Sequence, residues 1–333
     1  MVRRVISSLI VRSPLLCLTM VLTGCFDDSP QNYFDDYQTK IANVQEADEI
    51  QEDWELESLP RKRELFIEVP SLSIGLIDSY QLQQCGLFNL IAEKNSVLGK
   101  VADEFRNYDY QVALLEGVGQ CLSNNELEPE IVELLREIEQ QKLAQFPLHQ
   151  WNLIYASEAM QSQMRGSQWL RADIGDQVRQ TSDALEHINQ ALNTPLVSGK
   201  TTEVQEVLEK SSTLGDLYYS LARASVELDT ITQQLTTFDA NIICGKQRDT
   251  TKFRYLNNVF EQQYIDKVQP YMAQLDGYYQ QLAPQLAMFD AQPELHSYYF
   301  PIKDAHQAFR SSTRRHVDYW QQLFKRCGRK VGR

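Results

Sequence analysis

Five histidines, His149, His187, His296, His306 and His316, are the side chains of this 333-residue chain best suited to carry a proton or a metal ion near neutral pH. Their spacing argues against a shared site. No pair follows the HExxH pattern that sets two imidazoles on one helical face for zinc. His306 and His316 fall on one helical seam, but the helix between them separates them by about 15 Å, too far to ligate one ion. No serine stands in a GxSxG turn, and no glycine-rich phosphate loop occurs. Carboxylates are abundant, so a hydrolase using a carboxylate or His316 is chemically open, yet the spacing selects no pair. The histidines therefore read as hydrogen-bonded residues of the core or its edge. No catalytic residue, metal or cofactor is expected.

Two other groups would bind rather than react. The doublets Tyr218-Tyr219, Tyr278-Tyr279 and Tyr298-Tyr299 would line an aromatic groove for sugar or peptide, or would place one ring of each helical doublet on a seam and its neighbour on the flank. The second arrangement is preferred. Arg310, Arg314, Arg315, Lys325, Arg326, Arg329 and Lys330 make the C-terminal stretch basic: from Phe300 onward nine lysines and arginines stand against two acids, in a chain of formal net charge −13. Arg314, Arg315 and His316 are candidates for binding on this stretch, which would dock on anionic lipid, on an acidic protein, or on the chain's own acidic surface. The acidic balance of the remainder argues against nucleic acid as a partner.

The N-terminus sets the compartment. Arg3, Arg4 and Arg12 precede a short apolar run from Leu15 to Leu22 that ends in Leu22-Thr23-Gly24-Cys25. The run falls short of the roughly 20 apolar residues that span a bilayer. This order of charge, apolar run and Leu-Thr-Gly-Cys resembles a bacterial lipoprotein signal with its lipobox. The resemblance implies a signal peptide over 1–24 and an acylated Cys25 at the new N-terminus, so that the lipid bilayer is a partner through Cys25 on the periplasmic face of a membrane. In such signals Asp directly after the Cys favours the inner membrane; Phe26 stands there, with Asp27 one later, which favours the outer membrane. With Cys17 in the signal and Cys25 lipidated, Cys85, Cys121, Cys244 and Cys327 remain, an even number that suggests two disulfides in an oxidising compartment.

These groups must be positioned by helices. Glycine and proline are scarce, at 14 and 11, and apolar residues recur at three and four. Residues 25–60 read as a lipidated acidic tether, because seven acids crowd residues 44–57, with a short helix over 35–44. Residues 61–333 read as a helical domain with a possible sub-boundary near 195–202, and 63–69 as a short extended segment. Helices are expected over 74–95 and from Val101 to Leu115, reversing around Gly99, and near Ile131–Ile138, ending by Pro147. A seam from Val204 through Leu214, Leu221, Leu228 and Leu235 to Phe238 predicts one long helix starting at Thr202-Glu203. A second seam runs from Phe253 to Phe289, bent by Pro270 and Pro284, and a third from Ile302 to Leu323. The fold class is all-α: an elongated helical bundle with long antiparallel, coiled-coil-like helices in the C-terminal half. Helices that alternate in direction favour Cys85–Cys121 and Cys244–Cys327 as the disulfide pairs.

Two stretches carry a family resemblance: 85–100, with its Asn95-Ser96-Val97-Leu98-Gly99 core, and 255–271, ending in Gln269-Pro270-Tyr271. With the lipobox and the closing His316, Trp320 and Cys327-Gly328, they resemble a Gram-negative lipoprotein family of uncharacterised activity, domain of unknown function 3080. The resemblance implies a lipoprotein with no assigned catalytic residues. In physical terms Asn95 or Gly99 would be a left-handed cap at a helix junction, which is preferred, or Asn95 and Ser96 would be polar groups of a binding site. The chain is thus expected to be a non-enzymatic binding or scaffold component of the cell envelope with an envelope protein as partner. An envelope hydrolase and an aromatic-groove receptor are the alternatives.

Overall fold

The computed structural model describes residues 29–70, 82–123, 127–195, 199–245 and 248–329. The signal segment, Cys25 and Lys330 lie outside the described residues, as do residues 74–81 of the helix expected over 74–95. Among the described residues the chain is all-α, with no strand. The main helices are α1 (Pro30–Gln45), α2 (Leu87–Asn95), α3 (Glu104–Leu122), α4 (Pro129–Trp151), α5 (Glu158–Met164), α6 (Gly175–Asn193), α7 (Thr213–Thr237), α8 (Thr251–Val259), α9 (Gln269–Leu282) and α10 (Ile302–Cys327).

The last three passes position one another. Phe253 and Phe260 pack on Phe324, Tyr264 on His316, and Tyr279 stacks on His306. The pass from α8 to α9 therefore runs antiparallel to α10. Between α7 and α10 the contacts advance together, Asp229 with Arg315 and Asp239 with Arg326, so these two run parallel. These directions bring Cys244, just past α7, to Cys327 at the end of α10, which the structure joins. Cys85 and Cys121 are joined likewise. Reducing this second bridge releases a loop with a sequence separation of 36 residues, and the Cys85→Ala, Cys121→Ala double variant is expected to lose about 2–4 kcal/mol in urea unfolding.

Departures from a regular seam have local causes. Between α8 and α9, residues Phe260–Val268 take a wider π-helical turn, and Ala283–Phe289 tightens to 3-10 geometry; Pro270 and Pro284 sit at these junctions, where a missing N–H is tolerated. The helix expected to begin at Thr202 instead begins at Thr213. A separate turn, Gln205–Glu209, buries Leu208 and leaves Val207 exposed. The buried side chain of Gln163 causes the break: its Nε2 donates to Leu208 O and to Ser211 Oγ, so the orphan carbonyl of the short helix is met by a side chain. Conversely, α4 passes through Pro147 to Trp151. One lost bond is outweighed by burial of His149 and Trp151 and by Trp151 Nε1 donating to Leu65 O.

One expectation about the tether is corrected. Residues 30–45, placed in the tether, form α1, whose Phe34, Tyr37 and Ile41 are wholly buried in the main core. The acidic stretch after it lies along α7: Ile50 N donates to Gln234, Thr230 donates to Glu52, and Trp54 packs edge-on against Tyr219. At 201–202 the chain is tied to α3, because both oxygens of Asp109 accept bonds from Thr201 and Thr202. The buried apolar residues form two clusters. Leu82, Leu87, Leu114, Val118, Cys121, Ile131, Leu135 and Ile138 form a satellite core apart from the main one. α3 belongs to both, with Phe105 and Tyr108 in the main core and Leu114 to Cys121 in the satellite.

Candidate functional site

The predicted site residues do not come together. Asn95 and Ser96 are exposed at the end of α2. The expected left-handed cap is absent there: the only non-glycine with positive φ among the described residues is Glu46, and Ser96 is extended, with its Oγ accepting from Gly99 N. Gly99 is required for another reason, since a Cβ would lie 2.4 Å from Glu93 O. On α10, Arg314 is exposed, while Arg315 makes a bidentate pair with Asp229. Arg326 pairs with Asp239 and Arg329 with Glu261, so much of the basic stretch is neutralised by the chain itself.

His316 faces inward and is fully buried. Trp320 Nε1, which can only donate, lies 3.0 Å from His316 Nε2, so that nitrogen accepts and the proton sits on Nδ1, 2.9 Å from Thr232 Oγ1. Tyr37 OH completes the ring of bonds at 3.0 Å. Burial lowers the His316 pKa to about 3, so it is neutral and satisfied in the core. His306 stacks on Tyr279 and bonds Asp276. The tyrosine doublets divide as expected on α9, where Tyr279 is buried and Tyr278 OH donates to Ala172 O on the flank. Tyr298-Tyr299 lies outside any helix. Among the described residues no three His, Cys, Asp or Glu side chains are grouped to hold a metal ion.

The concave site lies where the satellite meets the main core. Ile91, Lys94 and Asn95 of α2, Asn107, Tyr110, Gln111 and Leu114 of α3, Ile138, Lys142 and His149 of α4, and residues 66–70 enclose about 560 Å³. Each helix contributes a stripe at spacings of three and four, as one helical face requires. The signal is sharpest on α4: Ile131, Leu135, Ile138, Lys142, Gln145 and His149 follow at four, three, four, three and four. The first half of this seam fills the satellite core, and its polar continuation supplies Lys142 and His149 to the cleft wall. The apolar pattern alone marks this seam only as far as Ile138, because Lys142, Gln145 and His149 are polar.

The floor is anchored from both sides. Asn152, buried just past α4, accepts from Ile67 N and donates to Ile67 O, which fixes residues 66–70 against the helix. Asn107 Oδ1 accepts from Lys94 Nζ at 2.9 Å, and its Nδ2 lies 3.3 Å from His149 Nδ1. An amide N–H bonded there leaves the proton of a neutral imidazole on Nε2, and that atom is buried with no partner. Gln111 Oε1 is likewise buried and unpartnered. Burial lowers the pKa of Lys94; burial and then the charge of Lys94 lower that of Lys142. His149 falls to about 4, through burial first and then both lysines, and burial raises Tyr110 to about 12. Perturbed titratable groups and unpartnered buried hydrogen-bonding atoms thus converge in one cleft.

A family model described as "Protein of unknown function (DUF3080)" matches residues 34–331. No curated protein and no solved structure matches the chain.

Proposed function

The chain belongs to the DUF3080 family, and from that premise we propose that it is a lipoprotein, anchored through Cys25 on the periplasmic face of a membrane, that binds another envelope component without chemically changing it. The outer membrane is the favoured address. The binding site is the cleft between α2, α3 and α4. The observation that carries this reading is the pair of buried, unpartnered atoms, His149 Nε2 and Gln111 Oε1, in a cleft that also holds two half-buried lysines. Buried polar groups are normally paired, and leaving one unpaired costs about 1–3 kcal/mol, which a ligand or ordered water would recover. No helix among the described residues is long and apolar enough to cross a membrane.

Photo-crosslinking in intact cells tests the proposal. A reactive side chain at Asn95, on the cleft rim, is expected to capture one discrete envelope component, and capture is expected to fall when Cys25→Ala is exported with a cleavable signal. The same group at Arg314 is expected to capture none. Capture from Arg314 alone would move the interface to the basic face of α10. The aromatic-groove reading has its own observation: Tyr218, Tyr298 and Phe300 line a cleft of about 300 Å³ with Leu56, Glu57 and Leu59. Capture from Glu57 and not from Asn95 would favour it.

A further inference from the structure

We infer that the cleft between α2, α3 and α4 takes a small anionic group, a carboxylate or a phosphate, held between Lys94 and Lys142. This rests on the reading of that cleft as a binding site. Lys94 of α2 and Lys142 of α4 line one concavity together with Ile91, Leu114 and Ile138. Among the described residues Lys94 makes no ion pair: its Nζ donates to the amide oxygen of Asn107 and lies 5.2 Å from the centre of the Tyr110 ring. Lys142 has no counter-ion among the described residues, and the charge that acts on it is Lys94, of the same sign. The acids on the cleft wall are engaged elsewhere or stand off. Asp103 Oδ1 accepts from Arg106 N and its Oδ2 from Gln205, Glu104 pairs with Lys62, and Glu68 lies exposed on the rim.

Two like charges half withdrawn from water, neither of them paired with a carboxylate, are unfavourable in the empty protein. An anion between them relieves both the repulsion and the desolvation, and it does so only if it is small enough for the space. His149, kept neutral, adds no third positive charge. The apolar side chains on the same walls leave room for a short carbon skeleton behind the anionic group, so the preferred ligand is a small organic anion rather than a polyanion.

Residue-resolved amine labelling tests this on the detergent-solubilised full-length protein. An amine-reactive reagent acylates only the unprotonated lysine, and peptide mapping reads each position. An anion that raises an ammonium pKa by about one unit lowers the reactive fraction about tenfold. Excess sodium phosphate and excess sodium acetate, at matched ionic strength, are the two probes, with glycerol as the uncharged control. Labelling of Lys94 and Lys142 is expected to slow severalfold with one probe or both, while Lys303 and Lys325 are unchanged. Protection by phosphate alone identifies a phosphoryl group, and by acetate a carboxylate. Lys142→Met removes a repelling charge without removing bulk, so it is expected to melt no lower than the wild type and to abolish protection of Lys94. Unchanged rates with both anions, or equal slowing at Lys325, would overturn the anion assignment. If Asn95 still captured its component in cells, the binding reading would survive that failure; loss of both would remove the cleft from consideration.

Discussion

Gly215→Ala is expected to destabilise the protein by about 4–6 kcal/mol, a loss at the far end of what single substitutions do. The cause is a backbone-on-backbone contact between the start of α7 and the chain leaving α5. A Cβ on Gly215 would lie 2.3 Å from Gly166 N and 2.5 Å from Met164 O, and a Cβ on Gly166 would lie 1.8 Å from the carbonyl carbon of Gly215. No rotamer change relieves such a clash, because the atoms met belong to the main chain. The two segments must separate, and Met160, Met164, Leu214 and Leu217, all buried around the contact, lose their packing together. Urea unfolding followed by circular dichroism measures the effect. Gly277→Ala, within α9 and with nothing within 4 Å of the new methyl, is the matched control and is expected to gain up to about 1 kcal/mol. If Gly215→Ala melted with the wild type, the two backbones would not meet as described.

Acid is expected to unfold the protein from within. Both His149 and His316 have folded-state pKa values below the ordinary 6.5, at about 4 and about 3. For a group whose pKa is depressed on folding by loss of the charged form, stability is intact above the unfolded value. It falls as pH drops from about 6.5 and levels only below the folded value. At about 1.4 kcal/mol per unit, the two together withdraw several kcal/mol by pH 3, a large share of the 5–15 kcal/mol that holds a domain folded. His316 is the steeper contributor. Protonating it puts a second donor against Trp320 Nε1, and the network with Tyr37 and Thr232 loses its only imidazole acceptor. Unfolding free energies measured across pH 3–7 should show this slope, and His316→Gln should flatten it while lowering stability at neutral pH. An unchanged slope in that variant would place the acid sensitivity elsewhere.

What was legible in the sequence followed from periodicity and from direction reversal. Once the last passes alternate, Cys244 and Cys327 must share an end, and the pairing needs no further information. Phe34, Tyr37 and Ile41 also stand at helical spacing, but the acids that follow them pulled the whole segment into a presumed tether. The α4 seam was readable too, had Lys142, Gln145 and His149 been allowed to continue it. The rest was hidden for physical reasons. Gly166 meets Gly215 across 49 positions, Gln163 breaks a helix it does not belong to, and Asn152 stands in for a strand partner of Ile67. Such contacts are made by side chains and backbones brought together only by the finished fold, and no local window contains both halves.

The packing of α1 into the core also fixes how far the protein can range. Only five residue steps separate Cys25 from Pro30, and fully stretched they cover about 17 Å. With Cys25 acylated as proposed, the body cannot explore the space between two membranes on a leash. It is then held close to its own leaflet, with the start of α1 nearest the anchor. Whatever it binds must arrive at, or already reside on, that same surface.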